Sequence, residues 1–180
     1  PVIIFGASGY LGSRLYQHFT DKGSKVLGTC RANQRNGLLH FDLASSSLDK
    51  LGVPLTGFTH AILCAGPMPM DYSKTHSAEA HEINKGIKRL AQDLLNRNIT
   101  PLFLSTDYVF DGSKGDYKED DEAIPILEYG KRKMEIEAFL TGQDQPAAIA
   151  RLSHICGSGL EDDTLLNQIT TQLLNAETIR

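Results

Sequence analysis

Two side chains in this 180-residue sequence, Tyr129 and Lys133, have the types and spacing that could move a proton. They lie four residues apart in a stretch that predicts a helix over 128–140, so they should share one helical face. A tyrosine with a pKa of about 10 is a poor acid–base group at neutral pH. A nearby ammonium group favours the phenolate and should lower that pKa toward the working range. The pair therefore predicts a proton donor beside a carbonyl group that accepts a hydride.

Two hydroxyl side chains, Ser105 and Thr106, follow the apolar run that predicts a strand over 101–105. At the end of a strand, either hydroxyl could hydrogen-bond the oxygen of the same carbonyl group. A tyrosine and a lysine at this spacing are often a chance pair on a helix surface. The hydroxyls strengthen the catalytic interpretation because they come in the expected order with a glycine turn near the N-terminus.

That turn places glycines at positions 6, 9 and 12, between an apolar run over 2–5 and a helix predicted to begin near Leu11. A tight turn, a close approach of backbone to a pyrophosphate and close packing of helix on strand each require a residue without a Cβ. The helix N-terminus would offer N–H groups and a partial positive charge to the phosphates. The alternative is a turn with a structural role only. The predicted cofactor contacts here are Gly6, Ser8, Gly9, Tyr10, Leu11 and Gly12.

The residues after the second and third predicted strands bear on which dinucleotide would bind. An acid at the end of the second strand usually bonds the ribose hydroxyls of NAD. The strand predicted over 25–29 is followed instead by Cys30 and Arg31, and Arg31 could pair with the 2′-phosphate of NADP or be an ordinary surface arginine. We predict NADP(H) as the preferred cofactor, with NAD(H) possible. Asp42 and Leu43 would meet the adenine edge, or Asp42 would be the N-cap of a helix over 45–51.

The elements that must position these residues alternate along the chain. Apolar runs predict strands over 2–5, 25–29, 38–41, 60–64, 101–105 and 147–151, and helical periodicity predicts helices after Leu11 and over 77–97, 128–140 and 164–176. Such alternation predicts an α/β fold of the Rossmann type, a doubly wound parallel sheet with helices on both faces. The acidic stretch 111–122 is a solvated loop or an active-site flap.

Bulk properties exclude several classes of protein. A net charge of -4, a pI of about 5.8 and the lack of a basic stripe argue against a nucleic-acid partner. No apolar run reaches the roughly 20 residues of a membrane helix. The sequence has three widely spaced cysteines, Cys30, Cys64 and Cys156, which predicts buried free thiols in a cytoplasmic protein. No metal site is predicted, because no cysteines and histidines have the spacing of a zinc site. The missing initiator Met and a C-terminus inside a helical pattern predict a fragment.

Taken together, these motifs resemble those of a known family. The segment Gly6 to Gly12, Ser105-Thr106 and Tyr129-x-x-x-Lys133 resemble the extended short-chain dehydrogenase/reductases. The stretches STDYVFDG, over 105–112, and YGKRKME, over 129–135, are more specific. They resemble the nucleotide-sugar reductase family that includes dTDP-4-dehydrorhamnose reductase. The resemblance runs from Val2 to about Gly157.

The resemblance implies roles for residues that the patterns alone do not assign. Tyr129 would be the general acid, Lys133 its electrostatic partner and a ribose ligand, and Thr106 the hydroxyl on the substrate carbonyl. Asn84 would help to organise the site, or would be a polar residue on a solvated helix face. The segment 151–157 would face the nicotinamide and the substrate. The remaining implied cofactor contacts are Cys64, Ala65, Gly66, Asn84, Ser105 and Tyr129.

The expected activity is an NADPH-dependent reduction of a keto-sugar nucleotide. The alternatives are an epimerase or dehydratase that keeps its NAD bound, and a non-catalytic subunit that binds a dinucleotide and a partner enzyme. Members of the family that these motifs resemble are longer, and their C-terminal part binds the nucleotide-sugar. We therefore expect a dinucleotide-binding domain over 1–157 and the start of a truncated or missing substrate-binding part over 158–180. The helices over 77–97 and 128–140 could pack across a homodimer.

Overall fold

The computed structural model describes residues 1–32, 37–66, 76–157 and 164–174. Short runs rich in Val, Ile and Leu form the strands of one parallel sheet, because such side chains pack well where both sheet faces are covered. The strands are β1 (Val2–Phe5), β2 (Val26–Cys30), β3 (Leu38–His40), β4 (His60–Leu63), β5 (Thr100–Thr106) and β6 (Ala148–Leu152). The helices are α1 (Tyr10–Asp21), α2 (Ser77–Leu95), α3 (Glu128–Thr141) and α4 (Leu165–Leu174).

The strand order is β3-β2-β1-β4-β5-β6, so the chain winds outward in both directions from the β1–β4 pair. Phe5, at the end of β1, is in register with Thr29 on one side and with Leu63 on the other. This order is that of a doubly wound dinucleotide-binding sheet. The predicted fold class is therefore confirmed, and the reversal of strand order opens a crevice beyond the carboxyl ends of β1 and β4.

Alternation along β1 divides the core between the two faces of the sheet. Ile3 and Phe5 pack in the larger cluster, which includes Leu94 of α2 and Ile136 of α3. Val2 and Ile4 face the other way, in a cluster completed by Leu15, Tyr16 and Phe19 of α1. Both faces of β1 are buried, which explains why its sequence is an uninterrupted apolar run.

Several boundaries and local structures differ from the prediction. β5 extends through Thr106, so this hydroxyl belongs to the strand end, and α4 is described only to Leu174 of its predicted span. The predicted helix over 45–51 is a turn followed by a short 3-10 helix, Leu48–Leu51, so Asp42 is not a helix N-cap. The cysteines are free, but they are not uniformly buried, since Cys156 is exposed. No helix among the described residues is long and apolar enough to cross a membrane.

Candidate functional site

A cleft of about 260 Å³ lies at the carboxyl end of the sheet, beyond the ends of β1 and β4. This is the position at which open α/β sheets bind their ligands. Phe41 and Ile83 also line it, and the sequence did not single them out because both look like ordinary core residues. The predicted cofactor contacts that line the cleft are Gly6, Ser8, Gly9, Arg31, Asp42, Leu43, Cys64, Ala65 and Gly66.

The glycine turn forms the floor of this cleft. Gly6 has φ +89°, and a Cβ there would lie 2.8 Å from the backbone nitrogen of Ala65 on β4's exit loop. A Cβ at Gly12 would collide with the carbonyl oxygen of Gly6, so this glycine lets α1 pack directly on the end of β1. These are two of the three roles predicted for the glycines.

The third predicted role, close approach to a pyrophosphate, falls to Gly9, which is exposed and is the N-cap residue of α1. It contributes no side-chain cap, and the first turn of α1, from Tyr10 to Gly12, contains no acid. A helix N-terminus without a nearby negative charge favours an anion. The residues present therefore fit a pyrophosphate. Three of the predicted contacts, Tyr10, Leu11 and Gly12, are not among the residues that line the cleft.

The end of the cleft at Asp42 and Leu43, where the sequence predicts the adenine, is held against α2. A Cβ at Gly86 would collide with the carbonyl oxygen of Leu43, so the helix touches this loop directly. Arg89 donates to the carbonyl oxygens of Leu43 at 3.0 Å and Ser46 at 3.3 Å. The Asp42 carboxylate accepts from the backbone N–H of Ala44 at 3.0 Å, which makes it a turn-forming residue.

Tyr129 and Lys133 share one face of α3, as predicted. The Lys133 Nζ lies 5.7 Å from the centroid of the Tyr129 ring and 4.7 Å from that of Phe103. It donates to the carbonyl oxygen of Leu104 at 2.9 Å. Leu63 is in register with Phe103, so the Leu104 carbonyl that Lys133 bonds lies at the strand end beside Cys64, a residue of the cleft lining. The catalytic candidates therefore adjoin the candidate cofactor cleft.

The expected effect of Lys133 on Tyr129 is not what the structure shows. Burial raises the pKa of Tyr129, and the charge of Asp107 and the neighbouring Tyr108 raise it further. Burial lowers the pKa of Lys133 itself to about 8, against the opposing influence of Cys64 and Glu137. Desolvation thus outweighs charge attraction here, and Tyr129 is a protonated phenol at neutral pH. A protonated phenol is the form that can donate to a reduced oxygen.

The two hydroxyls at the end of β5 diverge, because successive side chains of a strand point to opposite faces. Thr106 Oγ1 accepts from the backbone N–H of Tyr108 at 3.3 Å and donates to Asp107 Oδ1 at 3.2 Å. Ser105 is buried, and its hydroxyl donates to a carboxylate oxygen of Glu137. The Ser105 hydroxyl is thus bonded to Glu137 in this structure, so Thr106 is the better placed of the two predicted hydroxyls.

Glu137 is a buried acid beside the candidate catalytic residues that the sequence pattern did not single out. It is buried on α3, one helical turn beyond Lys133, and it accepts from Arg151 Nη2 at 2.8 Å. Arg151 also donates to the backbone carbonyl of Glu119 at 3.1 Å and stacks over the Phe110 ring. An acid one helical turn after Lys133 can be noticed in the sequence. The spacing of residues along α3 could not predict that Arg151 of β6 would pair with it.

Asn84 is buried in α2, which excludes the alternative of a solvated helix face. Its Nδ2 donates to the carbonyl oxygen of Arg132 at 3.0 Å and lies 3.4 Å from Glu135 Oε2. Arg132 precedes Lys133, so Asn84 ties α2 to the turn of α3 that carries the catalytic candidates. Gly130 has a related effect, because a Cβ there would collide with the carbonyl oxygen of Tyr108.

The acidic stretch 111–122 is organised by its own hydrogen bonds. Asp111 accepts from the Tyr117 hydroxyl at 2.5 Å, and Lys114 pairs with Asp121 at 2.9 Å. The stretch borders a second, larger cavity of about 1020 Å³, together with β6 and α3. Of the predicted segment 151–157, Arg151 and Ser153 line this cavity rather than the cofactor cleft. No group of side chains in the described ranges could hold a metal ion.

Comparisons with known proteins agree with this architecture. The family described as the RmlD substrate binding domain matches residues 1–180. The chain is 30% identical over 158 residues to dTDP-4-dehydrorhamnose reductase of Aggregatibacter actinomycetemcomitans, covering 87% of this chain and 52% of that protein. It is 28% identical over 156 residues to methionine adenosyltransferase 2 subunit beta of Xenopus tropicalis, covering 86% and 47%. The chain thus spans about half the length of these relatives.

Two solved structures share the fold. The dTDP-4-dehydrorhamnose reductase of Bacillus anthracis in complex with NADP superposes with a TM-score of 0.83 at 24% identity, covering 99% of this chain and 61% of that one. MoeE5 in complex with UDP-glucose and NAD gives 0.81 at 23% identity, covering 99% and 62%. The matched family, the strand order and the glycine turn agree, and this chain belongs to the RmlD substrate binding domain family of extended short-chain dehydrogenase/reductases.

Proposed function

We propose that the protein containing this chain reduces the carbonyl group of a keto-sugar nucleotide with NADPH as hydride source. One observation carries the proposal: nine of the residues predicted to contact a dinucleotide line a single cleft, and Tyr129 and Lys133 lie beside it. The relative named dTDP-4-dehydrorhamnose reductase and the structure of MoeE5 in complex with UDP-glucose support a nucleotide-sugar as substrate. The family as a whole consists mostly of oxidoreductases.

The chain's own residues would divide the reaction between them. A nicotinamide bound in the cleft would supply the hydride to the carbonyl carbon. Tyr129 would transfer its phenolic proton to the carbonyl oxygen, and the product would be an alcohol. The Lys133 ammonium, when charged, would stabilise the phenolate left behind, and the Thr106 hydroxyl would orient the carbonyl. Solvent would then return a proton to Tyr129.

The preference for NADP(H) rests on Arg31, which lines the adenine end of the cleft. A guanidinium group binds phosphate through paired, charge-assisted hydrogen bonds. Its interaction with the uncharged 2′-hydroxyl of NAD would be much weaker. Structural relatives bind NADP in one case and NAD in another, so both cofactors belong in any assay. A homodimer that uses the exposed faces of α2 and α3 is part of the same proposal.

A non-catalytic subunit is the second candidate function. It is favoured by the relatives named as the beta subunit of methionine adenosyltransferase. It is also favoured by the hydroxyl of Thr106, which already bonds Asp107 and Tyr108 rather than pointing unengaged into the cleft. Such a subunit would bind the dinucleotide and a partner enzyme without turnover.

Cofactor oxidation separates the two functions. The full-length protein is mixed with NADPH and with each of several keto-sugar nucleotides, while the absorbance of the reduced nicotinamide is followed. We expect oxidation with at least one substrate. Tight NADPH binding, measured by titration calorimetry, combined with no oxidation on the whole panel would contradict the reductase and support the subunit.

A further inference from the structure

One ion pair at the rim of the cleft has no role in the reaction described above. The Nη1 of Arg31 lies 3.6 Å from Oε1 of Glu79, and the two side chains are 58% and 46% exposed. Arg31 follows β2 and lines the cleft, whereas Glu79 lies in the first turn of α2. The pair therefore bridges the two elements that enclose the adenine end.

The position of Glu79 is set by close packing rather than by the ion pair. Gly86 lets α2 touch the backbone of Leu43, and Arg89 bonds the same loop at 3.0 Å. An acid in the first turn also stabilises a helix by interacting with its N-terminal partial charge. That local effect explains an acid on α2, but it does not explain why the carboxylate faces Arg31, an arginine of the cleft lining.

The chemistry of the two dinucleotides makes this carboxylate selective. The 2′-phosphate of NADP carries roughly -1.5 to -2 charges near neutral pH, by analogy with other phosphate monoesters. It would have to take the Arg31 guanidinium from Glu79 and to approach a carboxylate of like charge. The 2′-hydroxyl of NAD is neutral, so NAD would neither have to displace Glu79 from Arg31 nor be repelled by the Glu79 carboxylate.

We propose that Glu79 sets the cofactor preference by competing with the 2′-phosphate for Arg31, so that it weakens NADP(H) binding and leaves NAD(H) binding unchanged. The inference rests on the proposed dinucleotide function. It predicts that selectivity for NADP over NAD is lower than Arg31 alone would produce.

The test is the binding of NADP⁺ and NAD⁺ to Glu79→Gln, measured by titration calorimetry at low and high salt. Surface pairs of this kind are weak, so NADP⁺ should bind about three- to fivefold tighter to the variant, with NAD⁺ within about twofold of wild type. The gain should shrink at 0.5 M salt, where the Debye length falls to about 4 Å. The matched control is Glu82→Gln, an exposed acid one turn along α2 that pairs with Lys85.

Unchanged NADP⁺ affinity in Glu79→Gln, or an equal gain for both cofactors, would overturn the inference. Arg31→Ala separates this failure from failure of the cofactor site. If Arg31→Ala weakens NADP⁺ selectively while Glu79→Gln does nothing, the site stands and the role of Glu79 does not. If Arg31→Ala leaves NADP⁺ binding unchanged, the assignment of the 2′-phosphate to Arg31 is wrong and Glu79 has no role.

Discussion

The cofactor cleft and the helix that carries Tyr129 are built in different ways. The cleft is formed by backbone, since Gly6 and Gly12 allow chain segments to touch where no Cβ fits. The catalytic face of α3 is held by side chains from distant parts of the sequence, above all by the Glu137–Arg151 pair and by Asn84. One region depends on the space around a turn, and the other depends on buried polar partners.

This difference separates two kinds of damage. Filling the turn should block the dinucleotide with moderate loss of stability. Removing a buried partner of α3 should lower stability and catalysis and spare cofactor affinity. The following changes test that separation.

The largest expected effect is that of Glu137→Gln. The substitution keeps the side-chain volume but leaves the partly buried Arg151 guanidinium without its carboxylate. Breaking a buried pair in this way costs about 3–5 kcal/mol of the free energy of unfolding, measured by urea denaturation. The control is Glu128→Gln, an exposed acid of the same helix paired with Lys131, which should leave the denaturation midpoint almost unchanged. Equally small losses of unfolding free energy in both variants would show that the buried pair stabilises the protein no more than the exposed pair does.

The next largest effect concerns pH and Lys133. Its folded-state pKa of about 8 lies below the 10.5 of a free lysine, so the unfolded chain binds more protons between these values. The contribution of Lys133 to stability should therefore rise as pH increases from about 8, by an amount on the order of 2 kcal/mol at pH 9.5. Denaturation of wild type and Lys133→Met at pH 7.5 and 9.5 isolates this contribution. Cys64, whose pKa burial raises from 9.0 to about 12, opposes this rise in both proteins, so the difference between them reports Lys133. Measurements stop at pH 9.5 because Tyr129, whose pKa is raised, acts in the opposite direction above pH 10. An identical pH slope in both proteins would contradict the burial of the ammonium.

Gly12→Ala tests the backbone side of the comparison. Its Cβ would collide with the carbonyl oxygen of Gly6, and overpacking of this kind costs about 1–3 kcal/mol. Because α1 would move from the end of β1, NADPH affinity should fall at least tenfold, as measured by calorimetry. Gly115→Ala is the matched control, since an added Cβ there meets nothing within 4 Å. Retained NADPH affinity in Gly12→Ala would mean that the turn does not hold the cofactor.

The smallest effect is expected from Asn84→Ala. Loss of the hydrogen bond to the carbonyl oxygen of Arg132 should cost about 1–2 kcal/mol and lower kcat, with NADPH affinity within about twofold of wild type. Gln92→Ala, which removes an exposed hydrogen bond of the same helix, is the control. A selective loss of NADPH affinity would instead make Asn84 a direct cofactor contact.

The same comparison explains what the sequence could predict. The glycine turn and the shared face of Tyr129 and Lys133 follow from steric demands and helical spacing within a few residues. The strand order could be predicted because alternating elements leave few ways to build a parallel sheet. The family was therefore recognisable before any contact was known.

The errors concern partners that meet only after folding. Burial and the charge of Asp107 raise the pKa of Tyr129, and the spacing between Tyr129 and Lys133 could predict neither effect. The hydroxyl of Ser105 faces Glu137 because strand residues alternate, and no local pattern identified that acid as its partner. Glu79 reaches Arg31 only through the packing of α2 on the loop at Leu43.

The most direct test of the account is the turnover of Tyr129→Phe in the full-length protein. The substitution removes only the phenolic oxygen, so NADPH should bind with nearly wild-type affinity. Oxidation of NADPH in the presence of a substrate of the wild-type protein should fall by at least about 100-fold, the smallest effect usual for a general acid. Tight NADPH binding with turnover close to that of wild type would contradict Tyr129 as the proton donor and the proposed mechanism with it.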